Sequence, residues 1–143
     1  MLPTVSSLEV VRFPVFHDTR GVLVPVELKQ YVSFPVARLF FISGVPKGQT
    51  RGAHAHRHCH QFLIGVVGRT TVLASDGATE RLFRLDAGTG LHIPPLIFAS
   101  ENYEDDVSVL AVCCDQEFDS DDYIDDLEGL LASRADSELA RKC

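Results

Sequence analysis

The segment Gly48-Gln49-Thr50-Arg51-Gly52-Ala53-His54-Ala55-His56-Arg57-His58-Cys59-His60-Gln61 holds four of the chain's six histidines. On a β-strand, side chains two apart share a face, so His54 and His56 point the same way, and His58 and His60 join them if the alternation continues. A lone histidine is most often a hydrogen-bonded structural group. A pair at this spacing points instead to chemistry. Imidazole titrates near neutrality, so two such rings inside an enclosed site suit proton transfer. Arg51, three residues before the pair, offers the bidentate fork that matches a diphosphate, with a structural salt bridge as its ordinary alternative. Arg38 is a weaker binding candidate.

The spacing resembles the first cupin motif: Gly48, five residues, His54-x-His56, then a later Gly68. His60 or Gln61 stands where that motif has a glutamate. The second motif resembles Gly88, five residues, Pro94, and would place a histidine near position 99, where this chain has Ala99. A cupin metal site wants about three histidines and a carboxylate, and two of those four ligands are altered. The favoured reading is therefore acid–base catalysis with no metal and no cofactor. The alternative is a metal-dependent cupin enzyme using His54, His56 and His60, with His92 available on the second-motif strand.

A longer resemblance covers residues 8–132. HDTRG, ARLFFISGVPKG, RGAHAH, GLHIPPLIF and QEFDSDDYIDDLEGLL are similar in order and spacing to the sugar 3,4-ketoisomerase family. The resemblance implies a metal-free isomerase that turns a dTDP-linked 4-keto-6-deoxyhexose into its 3-keto isomer. Such enzymes feed amino-sugar synthesis for surface glycans or antibiotics. A base takes the C3 proton beside the C4 ketone, an enediol forms, the proton returns at C4, and a polar group shuttles the hydroxyl proton. His56 is then the base, His54 assists at the sugar oxygens, and Arg51, Arg38, His60 and His92 are substrate contacts. The family also implies a homodimer, with N-terminal strands exchanged between barrels. Two departures stand out: Phe40 and Phe41 where a tyrosine is expected, and Phe98-Ala99 where many relatives carry Trp-His. A third reading is a non-catalytic sugar-nucleotide-binding cupin.

These residues need a rigid frame, and the chain supplies strand signals throughout. Apolar, β-rich runs cover 8–16, 22–28, 38–42, 54–67, 70–74, 79–85, 91–93 and 107–114, separated by turns such as Ser75-Asp76-Gly77. Many short strands with almost no helix before residue 120 indicate an all-β fold, a double-stranded β-helix or jelly-roll barrel over about 8–116. Ser120 reads as an N-cap, and Tyr123, Ile124, Leu127, Leu130 and Leu131 fall at helical spacing, which predicts a helix over 121–133 and a frayed end over 134–143.

The 143 residues, 45% of them hydrophobic, suit a single domain with a real core. Residues 1–100 carry 10 Lys/Arg against 6 Asp/Glu, and 101–143 carry 3 against 14. The acidic tail argues against a nucleic-acid partner, while the basic first part accommodates a small anion. No basic stretch followed by an apolar run opens the chain, and no apolar run reaches membrane length, so the expected location is the cytoplasm, with no membrane partner. The four cysteines form no disulfide framework. Cys113 and Cys114 are adjacent and should face opposite sides of a strand.

Overall fold

The computed structural model describes residues 1–143. In chain order it contains β1 (Val10–Arg12), β2 (Phe16–Asp18), β3 (Gly21–Leu23), a one-turn helix α1 (Leu28–Tyr31), β4 (Arg38–Ile42), β5 (Thr50–His56) and β6 (Gln61–Val67). There follow β7 (Arg69–Ser75), β8 (Glu80–Asp86), β9 (Thr89–Ile93), β10 (Phe98–Tyr103), β11 (Val109–Cys114), β12 (Tyr123–Ile124) and helix α2 (Leu127–Lys142). Two five-stranded antiparallel sheets, ordered β1-β9-β6-β11-β4 and β12-β5-β10-β7-β8, enclose the core, and β2-β3 form a separate hairpin. This is the all-β barrel that the strand pattern implies.

Alternation decides what fills the lumen. Leu63 on β6, Val72 on β7, Leu85 on β8, Leu91 on β9, Tyr103 on β10 and Leu110 on β11 meet in one buried cluster. Each such aliphatic side chain contributes roughly 1.5–3 kcal/mol when removed from water. Cys114 joins that cluster, whereas Cys113 packs with Phe13, Val32 and Phe62 on the outer face of the first sheet. The two cysteines do face opposite sides, and all four are free thiols. A third cluster of Leu2, Ala55, Leu96, Ile124 and Leu130 seats α2 on the second sheet.

Several elements differ from the sequence reading. The run 54–67 is not one strand, because residues 57–60 leave the ladder. Their N–H groups go elsewhere: Arg57 to the Asp122 carbonyl, His58 and Cys59 to the Asp122 carboxylate, and His60 to the Asp115 carboxylate. The runs 8–16 and 22–28 shorten to β1 and β3, as Pro14 and Pro25 follow. The helix α1, at 28–31, was not anticipated.

The C-terminal helix also shifts. Ser120–Asp122 is a 3-10 turn capped by Asp119, and Tyr123–Ile124 pair with β5 as a strand. The helix begins only at Leu127, where Asp126 accepts from the Gly129 N–H at 2.6 Å, and it runs to Lys142. The expected frayed end is therefore helical, and the helical spacing of Tyr123 and Ile124 was fortuitous.

Candidate active site

A cavity of about 430 Å³ opens where the two sheets meet, lined by β4, β5, β6, β10, β11 and β12. A β-bulge shapes it. On β10, Ala99 pairs with His54 and Ser100 with Gly52, so Ala53 has no partner. Gly52 takes φ +78° and Ala53 φ +59°. A left-handed alanine is unusual, and here it supplies the extra residue of the bulge. Residues three apart normally face opposite sides of a strand. The bulge brings Arg51 and His54 to the same cavity wall.

Beyond the bulge the alternation of β5 is regular, so His54 and His56 share a face. Their rings stand edge to face at 4.9 Å between centroids, and Tyr123 of β12 packs against both, at 4.8 and 4.5 Å. His54 and Tyr123 line the cavity. His56 lies beside them, only 5% exposed. Its Nδ1 is 3.0 Å from Oδ2 of Asp122, which is equally buried. That contact fixes the ring and leaves Nε2 as a buried nitrogen with no hydrogen-bond partner. Burial lowers the pKa of His54. Burial and the neighbouring His54 also lower that of His56, and Asp122 partly offsets this. Both rings are therefore neutral at pH 7 and able to accept a proton.

Arg38 reaches the same region. Its guanidinium lies over the rings of Phe40 and Phe118 at 5.5 and 5.8 Å, and its Nη2 donates to the Cys114 Sγ at 3.5 Å. Cys59 beside it, together with Arg38, holds the Cys114 thiol well below the usual range. Arg38 Nε is buried without a partner.

His60 and His92 are elsewhere, which corrects their assignment to the site. They sit on the outer face of the first sheet, stacked at 5.2 Å with Nδ1 and Nε2 2.9 Å apart, both against Phe34. The cause is the break after β5. The turn at 57–60 ends the alternation, and β6 resumes with Gln61 in the lumen and His60 outside. Burial and His60 push His92 down to about 4. His58 is exposed. The three-histidine set of the metal-dependent alternative does not assemble. The donors that do approach within 4.8 Å of one another are His56, Cys59 and Asp122. Both Asp122 oxygens already accept N–H donors.

Sequence reasoning missed three residues. Asp122 and Tyr123 belong to the DYI segment, which the sequence pattern places in a helix over 121–133. Their signal lay in the segment's resemblance, not in any periodicity. Glu101 lies in the lumen, two residues beyond Ala99 and cross-strand from Arg51. It is 8% exposed, and its Oε2 has no partner. Burial pushes its carboxyl up to about 7, against the opposing pull of its own backbone N–H and of Arg51. Tyr103, next along the same face, also keeps a buried hydroxyl without a partner.

The chain matches the family model described as "FdtA: WxcM-like, C-terminal" over residues 6–135. It is 28% identical over 117 residues to the TDP-4-oxo-6-deoxy-alpha-D-glucose-3,4-oxoisomerase of Aneurinibacillus thermoaerophilus, covering 81% of this chain and 84% of that one. The sugar 3,4-ketoisomerase QdtA of Thermoanaerobacterium thermosaccharolyticum, solved with TDP, superposes with a TM-score of 0.82 at 27% identity, over 92% of this chain and 97% of the other. A histidine-to-asparagine variant of that enzyme, solved with TDP-4-keto-6-deoxyglucose, superposes at 0.81 with 28% identity, over 92% and 94%.

Proposed function

The chain belongs to the FdtA, WxcM-like C-terminal family, and from that premise we propose that it is a TDP-sugar 3,4-ketoisomerase that converts a TDP-4-keto-6-deoxyhexose into its 3-keto isomer. The observation that carries this reading is the buried His56–Asp122 pair beside the lumen cavity. Removing a proton from a carbon next to a ketone needs a neutral base whose conjugate acid is then stabilised. Asp122 accepts at Nδ1, so Nε2 is the nitrogen that takes the C3 proton, and the carboxylate steadies the imidazolium that results. A proton from the imidazolium returns to C4. His54, on the cavity wall, is placed to hydrogen-bond the sugar oxygens. Arg51 is the candidate for the diphosphate, since its guanidinium stands at the exposed rim. Arg38, with its unpartnered Nε, is a second candidate contact.

The absence of a three-histidine set favours acid–base catalysis by the chain's own residues over the metal-dependent alternative. A homodimer accompanies this reading. Strand β4 is an edge of its sheet and exposes Leu39 (62%) and Phe41 (72%), while the β2-β3 hairpin exposes Phe16, Val22 and Leu23. An edge and apolar surface of this kind call for a cover, and a second copy would supply one.

The test is product NMR with TDP-4-keto-6-deoxyglucose and the His56→Asn variant. Wild-type protein is expected to give the 3-keto isomer, and the variant to turn over at least ~10²-fold slower while still binding TDP. Wild-type protein that binds the nucleotide sugar without isomerising it would favour the non-catalytic binding module instead. Wild-type turnover by the His56→Asn variant would remove His56 from the mechanism.

A further inference from the structure

A 3,4-ketoisomerisation moves two protons. One passes from C3 to C4, the other from the hydroxyl on O3 to the new hydroxyl on O4. A single imidazole that carries the carbon proton leaves the oxygen proton unassigned. Where the resemblance expects a tyrosine and a histidine, this chain has Phe40 and Phe41, and Ala99. The apolar ring of Phe40 and the Ala99 methyl cannot move a proton.

Glu101 is the one carboxyl on the cavity wall. It stands two cross-strand pairs along from His54, because Ala99 is opposite His54, Ser100 opposite Gly52 and Glu101 opposite Arg51. The bulge makes room for it: Gly52 packs against the carboxyl, and a Cβ at Gly52 would collide with Oε2. Thus the strained backbone at Gly52–Ala53 both turns Arg51 to the cavity and opens a slot for an acid. Oε2 is buried and has no partner within the chain. A buried polar atom without a partner is costly, and a ligand oxygen in the cavity would satisfy it. A carboxyl also suits the task in shape, since its two oxygens can address two vicinal sugar oxygens at once.

We propose that Glu101 carries the hydroxyl proton between O4 and O3 of the keto-sugar, a role that rests on the ketoisomerase reading. The acid starts neutral. As His56 takes the proton from C3, the C3–H electron pair forms the C3=C4 double bond and the carbonyl π pair moves to O4, giving an enolate; Glu101 then donates its proton to O4. This leaves an enediol, a carboxylate and an imidazolium. The carboxylate then takes the proton from O3, whose electrons form the new carbonyl, and the double-bond pair takes the imidazolium proton at C4. Both groups return to their starting state, and no oxidant, reductant or co-reactant is needed. The raised carboxyl of Glu101 keeps it protonated up to about pH 7, where it can donate first. The titratable groups that face it are Arg51 and His54 from β5, Tyr123 from β12 and Tyr103 from its own strand. The lining from β4 and β11 is apolar.

The experiment separates the two protons. TDP-4-keto-6-deoxyglucose is incubated in heavy water with wild-type protein or Glu101→Gln, and deuterium entry at C3 is followed alongside formation of the 3-keto product, with TDP affinity measured by calorimetry. The variant is expected to lose ~10²-fold or more in product formation, to keep exchange at C3 within about tenfold of wild type, and to bind TDP normally. Wild-type turnover by the variant overturns the proposal, as does an equal loss of exchange and product with TDP binding intact. Should the variant fail to fold, the wild-type profile decides. kcat/KM must fall as pH rises through about 7, and a flat profile to pH 9 overturns the role. A wild-type protein that gives no 3-keto product refutes the ketoisomerase reading itself, which is a separate result.

Discussion

Replacing Glu101 by Gln should change how stability responds to pH, independently of any activity. In the fold, burial holds this carboxyl at about 7 in place of its ordinary 4.5. Folding therefore favours the neutral acid. Below pH 4.5 the folded and unfolded states bind the same proton, and the group costs nothing. As pH rises from 4.5 to 7 the unfolded chain ionises and the folded one resists, so stability falls, and above 7 the full penalty is present. At 1.36 kcal/mol per tenfold in proton affinity, the penalty is about 3 kcal/mol. Gln has nothing to ionise, so its stability lacks this decline. At roughly 3 °C per kcal/mol for a chain of this size, the Tm of Glu101→Gln relative to wild type should rise by roughly 10 °C between pH 4.5 and pH 8. Thermal melts by circular dichroism at half-unit pH steps provide the curve, and subtracting the two proteins cancels the shared histidines. Parallel melting curves across that range would show that Glu101 ionises in the fold as it does in water, and the account of its buried slot would be wrong.

Asp122→Asn should lower kcat by roughly 10²-fold, because the imidazolium loses its carboxylate. It should also move the acid limb of kcat/KM to lower pH, since Asp122 raises the His56 pKa; an unmoved limb would count against the dyad. Arg51→Met should weaken TDP binding by roughly tenfold or more, as expected for a lost charged hydrogen bond of about 1.5–3 kcal/mol, with little change in saturated turnover; calorimetry with TDP measures it. Phe41→Glu, on the exposed face of edge strand β4, should give a monomeric mass in light scattering where wild type gives a dimer. Turnover should survive prolonged chelator treatment, because His60 is not beside His54 and His56, and loss of turnover that zinc, iron or manganese restores would contradict this.

The barrel was legible because its signals are local. Ser75-Asp76-Gly77 announces the β7-β8 hairpin, and in the fold Asp76 accepts the Ala78 and Thr79 N–H groups that close it. Alternation along β11 correctly separated Cys113 from Cys114. The errors came where a distant side chain overrides the local pattern. His58 and His60 sit in an alternating run, yet Asp122 and Asp115, about 60 residues further on, take the N–H groups of 58–60 and turn the chain out of the sheet. No window along the sequence contains both halves of that interaction. Asp122 and Tyr123 misled for the converse reason: their spacing fits a helix, but β5 had an edge to be paired.

The same long-range coupling explains why half of the site was visible and half was not. His54 and His56 are two apart on one strand, so the sequence alone puts them on one face. Arg51 is three residues from His54, and simple alternation would send it to the opposite side. It reaches the cavity only through the left-handed Gly52–Ala53 step, which the glycine permits but does not declare. Glu101 depends on that step too, since its carboxyl occupies the space that any side chain at residue 52 would fill. A buried carboxylate would ordinarily be selected against unless paired, and Oε2 has no partner within the chain. The physical inference therefore runs from geometry to chemistry. The position opposite His54 lost its expected histidine to Ala99, β4 carries Phe40 and Phe41 where a phenol was expected, and the one carboxyl that the bulge admits to the same wall is Glu101.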